Sequence, residues 1–179
     1  LLDAGADAGS VAAVLALIAP GALHLQTRRV ARGPFSAMKV DIIADEVDPP
    51  ARHLSDIEAM LDVPGMPPAT LRLATSAFRA LATAEAAAHG TSPEDVHFHE
   101  VGALDSIGDI VGVCEAARTL GVQRAVSSVV ALGAGTVHTQ HGLLTVPPPA
   151  VIELSQGWQV EAGGPTDVGE LCTPTGMTL

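Results

Sequence analysis

Lysine is almost missing from this chain: Lys39 is the only one, and nine basic residues face twenty acidic ones for a net charge of −11. Nothing offers a basic patch for phosphates, so nucleic acid is not an expected partner. An acidic field of this size attracts metal cations, and it is equally a common solubility device. There is no run of about 18 apolar residues, which excludes a transmembrane helix and a membrane partner. The longest apolar run, residues 11–19, ends at Pro20 and follows no basic segment, so it is not a signal peptide. Cysteine is scarce too: Cys114 and Cys172 form no C-x-x-C pair. They read as free thiols in a reducing compartment, with the cytoplasm as the expected location. No methionine starts the chain, no repeats occur, and there is no low-complexity tail. The opening Leu1-Leu2-Asp3-Ala4-Gly5 reads as the last turn of a helix with Gly5 at its cap. The closing stretch stops where Thr173-Pro174-Thr175-Gly176 would start another element. Both ends therefore read as cut, as in a piece of a longer protein.

What is present suffices for one domain with a real core: 179 residues, 47% of them hydrophobic. Residues 10–19 read as a helix with Ser10 as N-cap. Residues 23–30 and 35–44 alternate and read as a hairpin around Gly33-Pro34. His24 then lies on a sheet surface, with no carboxylate near it in sequence. Ser55 to Glu58 reads as a capping box that starts a short helix through Leu61. His53, just before it, is either a loop residue at a helix entry or faces a phosphate or metal there. Residues 64–68 form a proline-rich linker. The longest helix follows over 69–89, with Leu71, Ala74, Phe78, Leu81 and Ala82 as its buried stripe and Gly90 as its stop. His89 suits the negative end of that helix dipole. Beyond the central stretch, 125–131 reads as a buried strand that would complete a right-handed β-α-β crossover. Residues 143–146 read as a strand, 150–155 as a helix entered through Pro147-Pro148-Pro149, and 158–161 and 170–171 as edge strands. The fold class expected is α/β, with a mixed, partly parallel sheet and flanking helices.

The chain is organised around residues 96–112, Val-His-Phe-His-Glu-Val-Gly-Ala-Leu-Asp-Ser-Ile-Gly-Asp-Ile-Val-Gly. Period-two alternation predicts a strand that puts His97 and His99 on one face, roughly 6.5 Å apart. Gly102 permits a turn, and Asp105 or Ser106 can cap the helix that follows. That helix has an apolar stripe of Ile107, Ile110, Val111, Cys114 and Ala117. Its other face holds Asp105, Asp109, Gly112 and Ala116, small residues where a ligand or another backbone would come close. His97, His99, Glu100, Asp105 and Asp109 together make a mixed nitrogen and oxygen set suited to a divalent metal. The same residues also serve a plain sheet surface with a helix cap and its dipole partner, and the closed Cys/His spacing of a structural zinc site is absent.

A second group lies further on. Gly133-Ala134-Gly135-Thr136 sits where α/β sheets often bind ligands, at the end of a strand. As a phosphate cradle it has neither a lysine nor a helix directly after it. His138 and His141 either add a second pair of ligands or flank a hairpin turn.

Several stretches occur together in one order: Arg52-His53-Leu54-Ser55-Asp56-Ile57, Ala84-Glu85-Ala86-Ala87-Ala88-His89-Gly90, Val96 to Ile107, His141-Gly142-Leu143-Leu144-Thr145-Val146-Pro147, and Thr173-Pro174-Thr175-Gly176. Jointly they resemble the LarC-type nickel insertion protein family over essentially the whole chain. The resemblance implies a metal-inserting enzyme of cofactor assembly, a lyase-type metallochelatase. It would place Ni2+ into pyridinium bisthiocarboxylate mononucleotide and form the nickel-pincer nucleotide used by lactate racemase and related enzymes. The reaction would be a CTP-dependent cyclometallation, with Mg2+ or Mn2+ accompanying the CTP. His97, His99 and Glu100 map onto the family's His-x-His-Glu motif and Asp105 onto the aspartate after it. Glu100 or Asp105 would accept the ring proton lost when carbon binds nickel, and Gly133, Gly135 and Thr136 would offer donors to the substrate phosphate. Against the family pattern, a first strand with a Ser-Gly-Asp segment and a C-terminal nucleotide-binding domain are missing. CTP is therefore not expected on this stretch, and an uncovered sheet edge favours a homo-oligomer. The competing readings are a nickel storage or delivery module without chemistry of its own, and an inactive fragment.

Overall fold

The computed structural model describes residues 1–98, 101–139 and 142–179. After a short 3-10 turn at Leu2–Ala4, closed by Gly5 in the left-handed region (φ 102°), helix α1 spans Ala8–Ile18. Its N-cap is Asp7 rather than Ser10: the Asp7 carboxylate accepts the Gly9 N–H at 2.9 Å and the Ser10 hydroxyl at 2.9 Å. Strands β1 (Leu23–Arg32) and β2 (Phe35–Ala44) pair antiparallel from Leu23↔Ala44 to Arg32↔Phe35. Gly33, at φ 57°, supplies the positive angle that the first central position of a two-residue hairpin turn requires.

Helix α2 (Leu54–Leu61) starts one residue earlier than expected. His53 stands at its N-cap, and the Asp56 carboxylate accepts the His53 backbone N–H at 2.8 Å. Helix α3 (Pro68–His89) begins on proline, which loses nothing in the first turn, and stops at Gly90. It buries Thr70, Ala74, Phe78, Leu81 and Ala82, while Leu71 is only half-buried at the edge of the core. Helix α4 (Leu104–Thr119) packs against α1 and α3. Phe78, Leu15, Ile57, Leu61, Ile107, Ile110 and Val111 are fully buried where these helices meet. Burial of this order stabilises by about 1.5–3 kcal/mol per large apolar side chain.

The small-residue face of α4 is divided. Gly112 and Ala116 are buried, while Asp105 and Asp109 stay exposed. What comes close to the buried part is another strand and helix, not a ligand. A Cβ on Gly108 would lie 2.8 Å from the Ile42 Cγ2, and one on Gly112 would meet Ile42 and Val11 at 3.3 and 3.5 Å. The glycines let β2 and α1 settle onto α4.

Residues 125–131 do not form the expected strand. Only β3 (Val130–Ala131) does, and residues 122–129 are exposed and irregular. The expected β-α-β crossover is absent as well, because residues 96–98 make a single antiparallel bridge, Arg52↔Phe98, instead of a strand. Parallel pairing occurs elsewhere: β3 pairs with β6 (Val160–Glu161). The third sheet has the order β5-β4-β7, from β4 (Gly133–Thr139), β5 (Gly142–Val146) and β7 (Gly169–Glu170), all antiparallel. Helix α5 (Pro149–Leu154) packs on α3, and α6 (Pro174–Thr178), capped by Thr173, packs on α3, α4 and α5. The fold is thus mixed α/β, with a helical core and small sheets, some of them parallel. Among the described residues no helix is long and apolar enough to cross a membrane.

Among the described residues two polar side chains, Thr70 and Glu115, are buried. Glu115, 1% exposed, accepts from the Thr70 hydroxyl at 2.5 Å and is forked by the Arg118 guanidinium at 2.7 and 2.8 Å. The Arg118 hydrogen bonds, outweighing burial, hold its carboxyl below the ordinary range. Removing it strands the buried Thr70 hydroxyl, while Arg118, 37% exposed, turns to solvent, so Glu115→Ala is expected to destabilise the chain by about 2 kcal/mol. Thr70→Val, which leaves the fork intact, should cost only about 1 kcal/mol. Because the Glu115 pKa is depressed by folding, its contribution is present above the ordinary glutamate range and is lost as pH falls through its folded value. Urea titrations at neutral and acid pH should therefore show the gap between wild type and Glu115→Ala closing on acidification.

Candidate metal and substrate site

The alternation read across residues 96–98 is present without a strand. Val96 and Phe98 are 2% exposed and anchor the segment in the core, and His97 points out of it. Phe98 and Arg52 exchange backbone hydrogen bonds, N–H of Phe98 to the Arg52 carbonyl at 2.9 Å and the reverse at 3.4 Å. The Arg52 guanidinium then donates to the Gly102 carbonyl and to Glu46, 2.5 Å away. Glu46 also accepts the N–H of Leu104, the first residue of α4, at 2.9 Å. The cap that Asp105 or Ser106 was expected to give this helix is therefore supplied by a carboxylate 58 positions away. Burial would raise the Glu46 carboxyl, but the Arg52 and Leu104 hydrogen bonds and the guanidinium charge hold it below its usual range. Gly102 closes the loop: a Cβ there would lie 2.4 Å from the Phe98 carbonyl oxygen, so only glycine fits.

The same motif that supplies Arg52 supplies His53. Its Nδ1 lies 3.1 Å from the Val96 carbonyl, and its ring stands beside that of His97, with centroids 4.0 Å apart and planes tilted by 52°. His97 also lines a cleft of about 660 Å³. That volume is ample for a mononucleotide-sized ligand. His97, Asp109, His138, Glu85, His89 and Glu170 all line it, with the Thr173 to Gly176 turn along one edge. Glu85 and His89 approach to 3.6 Å, one helical turn apart. Although Asp109 as a residue is exposed, the protein packed around its carboxyl partly desolvates it, and this, then the neighbouring charge of Asp105, push the carboxyl above its ordinary range.

Of the residues singled out in the sequence, the structure brings His97, Asp109 and His138 to one cleft. Asp105 is exposed and accepts the Ser106 N–H at 2.8 Å, and it is not among the cleft's lining residues. Gly133, Gly135 and Thr136 do not form an open loop at a strand end, because they lie within β4. A Cβ on Gly133 would come 2.1 Å from the Gly169 carbonyl oxygen, so the backbone of β7 occupies that space. Thr136 stays exposed, outside the cleft lining. His99, Glu100 and His141 lie outside the described residues. Among the described residues no three His, Cys, Asp or Glu side chains stand close enough together to hold a metal. Cys114 is buried, and burial pushes its thiol up to about 11, which makes it a poor ligand.

Three features were given too little weight in the sequence. His89 was assigned to a helix dipole, yet it lines the cleft with Glu85. The i, i+4 spacing of Glu85 and His89 around three alanines was the available signal. His53 lies 43 positions from the Val96 carbonyl it faces, and nothing local announces that contact. His24, with no carboxylate near it in sequence, has Asp45 at 3.2 Å in space, because the hairpin folds residue 45 back beside residue 24.

The raised Asp109 pKa gives a pH test. Folding penalises the ionised carboxylate, so the penalty is fully present above the folded pKa and gone below the unfolded one. Asp109→Asn is expected to raise the melting temperature of the metal-free chain at neutral pH, with the advantage fading as pH falls to the ordinary aspartate range. Melting curves of the two proteins across that range provide the check.

The family described as "Nickel insertion protein" matches residues 1–179. The chain is 44% identical over 181 aligned positions to the pyridinium-3,5-bisthiocarboxylic acid mononucleotide nickel insertion protein of a Nocardioides species, covering 100% of this chain and 45% of that protein. It is 43% identical over 155 positions to a putative nickel insertion protein of Citrifermentans bemidjiense, covering 87% of this chain and 40% of the relative. A putative nickel insertion protein of Gloeobacter violaceus is 37% identical over 181 positions, 100% of this chain and 43% of that one. The chain thus spans less than half the length of these relatives. No solved structure matches it. With a family match along its whole length, the chain belongs to the nickel insertion protein family.

Proposed function

We propose that this chain is the part of a nickel insertion protein that receives Ni2+ and presents it to pyridinium-3,5-bisthiocarboxylic acid mononucleotide. The observation that carries this reading is that His97, Asp109 and His138 line one cleft of mononucleotide size, with His99 and Glu100 following His97 in sequence. Nickel is cargo here, not a resident cofactor. Imidazole and carboxylate groups suit Ni2+ without holding it as firmly as sulfur does, so a substrate with two thiocarboxylates draws the ion away. In the transfer, nickel–sulfur bonds form, a ring C–H bond breaks, and a nickel–carbon bond forms. The proton released from the ring needs an acceptor, and Glu100 or Asp105 is the candidate carboxylate. The exposed position of Asp105, off the cleft lining, favours Glu100 of the two.

In this reading CTP, with Mg2+ or Mn2+, acts on a region of the whole protein beyond this chain. The finished nickel-pincer nucleotide passes to enzymes of the lactate racemase type. The free state of both cysteines suits a reducing compartment such as the cytoplasm.

Calorimetric titration of NiCl2 into the metal-free chain should give one saturable site. The His97→Ala/His99→Ala double variant is expected to bind about tenfold more weakly or worse. Equal binding by both proteins would move the site toward His138 and His141. In the whole protein, unchanged insertion by the double variant would overturn the reading.

A further inference from the structure

We propose that His53 is a nickel ligand, acting with His97 as an imidazole pair at the rim of the cleft. The inference rests on the reading of this chain as a nickel carrier and names a residue outside the His-x-His-Glu stretch. Three observations support it. The rings of His53 and His97 are in contact, with centroids 4.0 Å apart. A carbonyl oxygen can only accept, so the 3.1 Å contact with the Val96 carbonyl makes His53 Nδ1 the proton-bearing nitrogen. The neutral ring then carries its lone pair on Nε2, and a hydrogen bond of this kind is what fixes the tautomer and raises the basicity of ligating histidines.

Finally, these nitrogens have nothing else to do. Among the described residues neither His53 Nε2 nor the His97 ring takes a hydrogen bond. The helix has a cap beside the ring: the Asp56 carboxylate accepts the His53 backbone N–H at 2.8 Å, and the His53 carbonyl takes the Asp56 N–H at 3.1 Å. Serine, aspartate or asparagine would be the ordinary choice at such a position. A histidine there, its ring turned away from the helix toward a second imidazole, is accounted for by a shared cation. The ring planes are tilted by 52° rather than stacked flat, so a modest rotation about the side-chain torsions turns one nitrogen of each ring toward a common ion.

The pair also has a support. Arg52, the residue before His53, pins Phe98, the residue after His97, by reciprocal backbone hydrogen bonds. The two histidines thus ride on adjacent positions of one short bridge, and their separation does not depend on a long lever arm.

The test uses His53→Asn, whose amide N–H can still reach the Val96 carbonyl and which is a favoured N-cap residue, so the fold is retained. NiCl2 is titrated into wild type, His53→Asn, His97→Ala and the double variant, and nickel-edge X-ray absorption counts the imidazoles on the bound ion. The expected result is binding about tenfold weaker or more in His53→Asn, one imidazole fewer, and an unchanged melting temperature without metal. The double variant should lose little beyond either single one, since both serve one ion. Wild-type affinity with an unchanged imidazole count in His53→Asn overturns the proposal, as does a wild-type chain that binds no nickel. Loss of the imidazole in His53→Asn together with normal insertion by the same variant of the whole protein would uphold the ligand and count against the insertion reading instead.

Discussion

The guanidinium of Arg52 joins three stretches that have no other reason to meet: the loop after β2 through Glu46, the segment around Phe98, and the start of α4 through Gly102 and Leu104. An ion pair this far from solvent, with side chains 13% and 11% exposed, is costly unless every lone pair and proton is used. Here the requirement is met. Both Glu46 oxygens accept, the guanidinium reaches a carbonyl as well as the carboxylate, and no buried side-chain nitrogen or oxygen among the described residues lacks a partner. Such a network adds geometric definition more than net stability. What it defines is the position of Phe98 and of Gly102, on either side of His99 and Glu100 in sequence.

Helix α4 translates that definition into a site. One side of it is core, with Ile107, Ile110 and Val111 fully buried against α1 and α3. A second side, Gly108 and Gly112, admits Ile42 of the hairpin. That leaves the outward part of its first turns, Ser106 and Asp109, to face the cleft. Further lining comes from β4 and from α6 with its cap Thr173, so the cleft is framed by elements from both halves of the chain. A carboxylate held there, with partial desolvation and Asp105 both opposing its ionisation, is poised to welcome a cation.

Much of the local structure was legible in residues 1–90, because its causes are local. The hairpin follows from alternation around Gly33-Pro34, and the register Arg32↔Phe35 follows from a two-residue turn. Helix α3 follows from a 3.6-residue stripe with proline at one end and glycine at the other. The family likeness was legible too, since it rests on ordered short motifs. Less of the site could be read. His97, Asp109 and His138 share a cleft as their chemistry suggested, whereas the space beside Gly133 is taken by the backbone of β7, and Gly135 stands at a positive φ of 104° within β4. Residues 125–131 have the composition of a strand and are mostly not one, since a strand needs a neighbour and only Val130 and Ala131 find it in β6.

The sequence alone therefore determined which residues alternate, which stripe is apolar and where helices begin and end within a residue or two. These are decided by torsional preference and by periodicity over a few positions. Only the tertiary structure decided that His53 meets His97, that Glu46 caps α4, that Asp45 reaches His24 and that Asp105 stands off the cleft while Asp109 lines it. Each of these depends on how the helical core docks distant segments. Docking is set by summed burial across the whole core, and no short window of sequence contains that sum.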